Sequence, residues 1–223
     1  MSQQLTLGIR LRDDATFDNY FVSENEQIVH NLKSCDEPYI FLFGENGSGK
    51  SHLLQAACHE VGQKGLPVVY LPLSEEGLRP AMFEGLENMS LVALDDIEKI
   101  MGEETWEYGL FNLFNRIRDK GGNLLISSSQ PLASLNVNLA DLKSRLSWGP
   151  TFRLQSLSDS EKKKALQQRA KNRGLIIADE VMAYLLKHSP RDMNSLFVLF
   201  EKLDKASMVE KRKLTIPFIK DYL

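Results

Sequence analysis

The sequence predicts an α/β fold: a five-stranded parallel sheet covered by helices, followed by a small all-helical domain. Three observations carry that expectation. Between residues 38 and 130, short apolar runs alternate with helical stretches, the rhythm of parallel strands joined by crossover helices. A glycine-rich loop ending Gly49-Lys50-Ser51 stands between the first apolar run and the first helical one. Beyond Leu157 the strand pattern gives way to helices alone.

Four strands read as continuous apolar runs: Tyr39-Ile40-Phe41-Leu42-Phe43, Val68-Val69-Tyr70-Leu71, Leu91-Val92-Ala93-Leu94 and Leu124-Leu125-Ile126-Ser127. The absence of polar alternation is what strands buried on both faces require. Thr151-Phe152-Arg153-Leu154 supplies a fifth. Helices are predicted over 51–64 and over 104–120, where Trp106, Leu110, Phe111, Phe114 and Ile117 recur at helical spacing and read as a core face. In the tail, Ser158-Asp159-Ser160-Glu161 caps a charged helix that Gly174 stops. Helices over 178–188 and 192–210 follow, and Thr215-Ile216-Pro217 opens a last short one. The domains are therefore drawn as 13–157 and 158–223, preceded by a separate peptide, 1–12.

Composition narrows the function. With 43% hydrophobic and 26% charged residues the chain is globular rather than disordered, and a net charge of -3 gives no expectation of strong direct DNA binding. Cys35 and Cys58 belong to no CxxC pair, so neither a disulfide framework nor a zinc site is expected. Apolar runs of about six residues fall far short of a membrane span, and Met1 to Arg12 lacks a signal-peptide core. A cytoplasmic protein with no membrane partner is the expectation.

Gly44-Glu45-Asn46-Gly47-Ser48-Gly49-Lys50-Ser51 satisfies the Walker A pattern, in the strand–loop–helix context its chemistry needs. The glycines let consecutive N–H groups of Asn46, Gly47, Ser48 and Gly49 turn toward phosphate oxygens, and the following helix N-terminus favours negative charge. Lys50 is expected to reach the β- and γ-phosphates and the Ser51 hydroxyl to coordinate magnesium. Strand 91–94 ends in Asp95-Asp96, a Walker B candidate: Asp95 for the metal shell, Asp96 to orient water. A glycine turn without a ligand, and a strand end with two solvated acids, are the alternatives. Arg145, after a short helix, and Arg191, opening a tail helix, are candidates for stabilising phosphate charge, each with a surface salt bridge as its alternative. His52 follows the loop, as a nucleotide neighbour or as a packing residue, whereas the consecutive Cys58-His59-Glu60 face different sides of a helix and make no metal site.

Together the Walker A and B motifs, Ser127-Ser128-Ser129-Gln130-Pro131, Leu142-Lys143-Ser144-Arg145-Leu146-Ser147-Trp148-Gly149 and the Arg191 helix resemble the AAA+ module of the bacterial replication initiator DnaA. The resemblance implies an AAA+ P-loop NTPase core with a helical lid. It also implies that Thr16 to Val22, and within it Tyr20, Phe21 and Val22, lie against the base of the nucleotide. DnaA carries further domains at both ends, which this sequence has no length for. A module of this size with Lys213-Leu214-Thr215-Ile216-Pro217-Phe218 near its end is similar to the Hda group of DnaA regulators.

That similarity implies an adenine nucleotide, ADP favoured over other nucleoside diphosphates, with Mg2+; it also implies DnaA and the DNA-loaded sliding clamp as partners. Gln4, Leu5, Leu7 and Ile9 resemble the family's clamp-binding peptide, with Gly8 where a proline is often found. Arg145 matches the arginine finger, acting on the partner's nucleotide, Arg191 the sensor 2 arginine, and Ser129 the sensor 1 position. DnaA-type modules are acidic at that last position, so Ser129 favours binding over turnover by the chain itself. Self-association as a homodimer through the nucleotide face is expected as well. An autonomous ATPase of helicase-loader type is the runner-up, favoured by intact Lys50 and Asp96. A P-loop kinase for small metabolites is disfavoured by the helical appendage.

Overall fold

The computed structural model describes residues 11–172, 175, 177–189, 193–210 and 212–222. It divides into two compact units, Met1–Glu45 with Lys50–Gln155, and Asn46–Gly49 with Ser156–Leu223.

The first unit is built on five parallel strands, β1 (Tyr39–Phe43), β2 (Val68–Pro72), β3 (Leu91–Asp95), β4 (Asn123–Ser128) and β5 (Thr151–Arg153), in the order β2-β3-β4-β1-β5. Strand β4 thus lies between β1 and β3, which brings the C-terminal ends of the three strands side by side, where parallel sheets present ligands. Because successive side chains point to opposite faces, each apolar run serves two cores. One face sends Phe41, Val92, Leu94, Leu124 and Ile126 against Trp106, Leu110, Phe114 and Ile117 of helix α3 (Glu104–Lys120). The other sends Ile40, Leu42, Ala93 and Leu125 against Leu53, Leu54, Ala57 and Val61 of helix α2 (Lys50–Gln63). Helix α1 (Glu26–Ser34) adds Ile28, Val29 and Leu32 to that second core.

Helix α4 (Ala140–Leu146) seats Leu142 and Leu146 in the first core, and Arg145 falls in its last turn rather than after it. The turn beyond α4 is fixed by Gly149: a Cβ there would lie 2.1 Å from the carbonyl oxygen of Tyr39, so no side chain fits. Tyr39 also reaches back with its hydroxyl, donating to the Leu146 carbonyl at 3.0 Å. The second unit carries α5 (Asp159–Asn172), α6 (Asp179–His188), α7 (Met193–Glu210) and α8 (Ile216–Lys220). Among its described residues Leu166, Met182, Leu196, Phe200 and Phe218 are buried. No helix among the described residues is long and apolar enough to cross a membrane.

Candidate nucleotide site

Between β1 and α2 the loop follows glycine's conformational freedom. Gly47 and Gly49 take left-handed φ values of 80° and 99°, which other residues rarely adopt. Gly44 N–H is fixed to the Ser128 carbonyl at the end of β4, 3.2 Å away. Lys50 is buried, and its ammonium donates to the Gly44 and Glu45 carbonyls at 2.8 and 3.1 Å, so the cation is held over the loop. The Ser48 hydroxyl oxygen is buried and has no hydrogen-bond partner among the described residues, a costly state that a ligand oxygen would relieve. Asn46 and Ser51 are exposed.

Asp95, at the end of β3, is buried, yet both of its carboxylate oxygens are served by hydroxyls. Tyr70 donates to Oδ2 at 2.7 Å and Ser127 donates to Oδ1. The Ser127 hydroxyl also accepts the Asp96 N–H at 3.1 Å, tying β4 to the turn after β3. Asp96 stands in the left-handed region at φ 59°, a conformation aspartate tolerates better than most residues. Its carboxylate accepts from Ser74 Oγ at 2.9 Å; burial and the neighbouring Asp95 charge raise its pKa above the ordinary aspartate value, opposed by that hydrogen bond. Ser129 N–H donates to Glu98 at 3.1 Å. Burial opposes ionisation of Glu98, but hydrogen bonds from Ser129 and Ser128 hold its pKa below the usual glutamate value.

The segment expected beside the base is fastened to α2. His52 Nε2 lies 2.8 Å from the Thr16 carbonyl, His59 Nε2 lies 2.9 Å from the Arg12 carbonyl, and Gln55 accepts the Arg12 N–H at 2.9 Å. A carbonyl can only accept, so each histidine donates. These three side chains share one helix face, and each clamps backbone from a segment about 40 residues away in sequence. Tyr20 is buried with its ring 5.5 Å from that of His52, while its hydroxyl accepts from Asn25 at 3.1 Å; burial pushes its pKa up to about 12. Phe21 and Val22 are half-buried.

The fold therefore gathers Lys50, Asp95, Asp96 and Ser127 to Ser129 at one edge of the sheet. Among the described residues no hydrogen bond or ion pair joins Arg145 to that cluster. Its guanidinium lies over the Trp148 ring, 4.2 Å from the centroid. Arg191 lies outside the described residues, as do Gln4, Leu5, Leu7 and Ile9. Two features escaped sequence reasoning. One is the pair of hydroxyls on Asp95; the other is Glu107, fully buried on α3, which accepts N–H bonds from Gly102, Asn138 and Leu139 at 2.7 to 3.1 Å and so anchors the entry to α4. A signal for the second was present: Glu107 precedes Leu110 and Phe114 at helical spacing, on the buried side of the helix.

A phosphate loop, an acidic strand end and a central β4 within a five-stranded parallel sheet, with helices following, define a P-loop protein of AAA+ type. The chain belongs to the bacterial DnaA ATPase domain family, whose model matches residues 11–153, and residues 159–223 match the lid domain of Hda. It is thus a DnaA-related regulator of replication initiation. Among solved structures it is similar to domain III of the Thermotoga maritima replication initiation protein DnaA, at 20% identity and TM-score 0.81 over 96% of this chain and 98% of that one. AMPPCP-bound DnaA from Aquifex aeolicus gives 23% identity and TM-score 0.70, over 91% of this chain and 71% of that one. A Thermotoga maritima RuvB variant gives 14% and 0.69, over 93% and 70%. At these identities the structural likeness is one of fold.

Proposed function

We propose that this protein is a nucleotide-bound negative regulator of replication initiation that, together with the sliding clamp loaded on DNA, promotes hydrolysis of the ATP held by DnaA. The observation that carries this reading is the joining of a DnaA-type ATPase domain to an Hda-type lid within one chain. We take 13–157 as the nucleotide-binding domain, 158–223 as its lid and 1–12 as the clamp-binding peptide, with Gln4, Leu5, Leu7 and Ile9 as its contacts. The protein acts in the cytoplasm, and self-associates as a homodimer when its partners are absent.

The bound nucleotide is adenine-based, ADP in preference to other nucleoside diphosphates, and the solved DnaA relative with AMPPCP supports the adenine class. The orphaned Ser48 hydroxyl and the left-handed glycines fit a phosphate group. Asn46 to Ser51 wrap it, Lys50 turns from the loop carbonyls to phosphate oxygens, and Arg191 contacts phosphate from the lid. Tyr20, Phe21 and Val22 line the base, with His52 holding that segment in place through Thr16. Ser51 and Asp95 would hold Mg2+, which when bound neutralises phosphate charge. Asp95 has lone pairs left for this after accepting from Tyr70 and Ser127.

Arg145 acts in trans. A planar, permanently charged guanidinium that among the described residues stacks on the Trp148 ring is suited to stabilising charge on a neighbour's γ-phosphate. Intact Lys50 and Asp96 favour a second reading, an autonomous ATPase of helicase-loader type, whereas Ser129 in place of an acid favours the first. Hydrolysis of ATP by purified DnaA, with and without this protein and with and without loaded clamp, tests the choice. Stimulation that needs the clamp supports regulation; turnover by this protein alone, with DnaA unaffected, supports the second reading.

A further inference from the structure

An indole ring that is 55% exposed is an unusual thing to find at a fixed position, and Trp148 is fixed from three directions. Its backbone N–H donates to the Arg145 carbonyl at 3.1 Å, closing the turn after α4. Its neighbour Gly149 is pressed against the Tyr39 backbone at a distance that admits no Cβ. Its ring meets Phe114 edge-on, centroids 6.0 Å apart, and Phe114 in turn meets Tyr39 at 5.1 Å. An unbroken line of packed aromatics therefore runs from strand β1 to a ring on the surface.

On that ring sits Arg145, its guanidinium carbon 4.2 Å from the centroid, and Arg118 lies near it at 5.6 Å. Face stacking restrains the plane of a guanidinium while leaving its N–H edge directed outward, so the ring removes rotamer freedom without using up donors. Arg118 is itself paired with Asp119 at 3.0 Å, so its charge is already partnered.

We propose that Trp148 is a positioning residue for Arg145, preorganising the guanidinium for a phosphate on a second AAA+ module. This rests on the reading of Arg145 as a finger acting in trans. Trp148 itself touches neither nucleotide nor reacting atoms. Its contribution is made before the partner arrives, as restricted motion of the arginine it carries.

Two measurements on the full chain test this, and they fail separately. By NMR on the isolated protein, the Arg145 side-chain Nε–H and Cδ protons should show ring-current shifts that vanish in Trp148→Ala and persist in part in Trp148→Phe. Unshifted Arg145 protons in the unaltered protein would overturn the stack, whatever the role of Arg145. In the DnaA assay with loaded clamp, Trp148→Ala should lower maximal stimulation about fivefold, the scale of one exposed cation–π contact. The half-saturating concentration should hold, and Trp148→Phe should restore most of the loss. Equal loss in both variants, or a change confined to half-saturation, would contradict positioning. If the shifts are present and Arg145→Ala stimulates normally, the finger reading fails while the stack stands.

Discussion

The Tyr70 hydroxyl donates to Asp95 Oδ2 across 2.7 Å, joining strand β2 to the acid at the end of β3. With Ser127 on the other oxygen, both oxygens of the buried carboxylate accept hydrogen bonds from hydroxyl groups. Tyr70 bears the reciprocal effect: burial first, then the Asp95 charge, raises its pKa well above the ordinary tyrosine value.

Tyr70→Phe keeps the ring and removes the donor. It should destabilise the fold by about 1.5–3 kcal/mol, the range for a hydrogen bond to a charged group. Urea unfolding checks this, and an unchanged midpoint would mean that water takes the place of the phenol.

Glu107 makes a stronger demand. Replacing it with Ala leaves the partly buried Gly102, Asn138 and Leu139 N–H groups without their common acceptor and empties the buried place of its side chain, at a cost of about 3 kcal/mol. Thermal unfolding should fall accordingly, and amide exchange should quicken first across residues 138–146. Glu107→Gln, which keeps one acceptor, should lose less.

Cys58 is buried, and burial pushes its thiol up from 9.0 to about 12. The folded value lies above the unfolded one, so the associated stability is complete below about pH 9 and is lost as pH rises toward 12. Alkylation by iodoacetamide at pH 8 should accordingly spare Cys58 in the native protein and modify it on unfolding, as peptide mapping would reveal.

Removal of residues 4–9 should abolish binding to the sliding clamp while leaving nucleotide affinity unchanged. Surface-immobilised clamp measures the first and calorimetry with ADP the second. Clamp affinity that survives the truncation would refute the docking peptide.

Much of the α/β unit was legible in the sequence because its signals are local. Runs such as Tyr39–Phe43 must be buried on both faces, and the Walker A loop announces itself through glycines whose backbone other residues rarely copy. Helix α1 went unread: its three buried residues are spread over a short, polar stretch. What the sequence withheld is long-range pairing. Nothing beside Tyr70 points to Asp95, 25 positions on, and nothing in Trp148 reveals Phe114 behind it. His59 gives no metal-site signal beside Cys58 and Glu60, and its partner is a backbone carbonyl, which leaves no trace in side-chain patterns. The partner proposed for this protein rests on its family relationship and not on the geometry of the site.

The most direct test of the central claim is Arg145→Ala in the DnaA hydrolysis assay with DNA-loaded clamp. The account predicts that the variant binds ADP and clamp as the unaltered protein does, yet stimulates DnaA-bound ATP hydrolysis at least 100-fold less, the scale of lost transition-state charge stabilisation. Undiminished stimulation by the variant would contradict it.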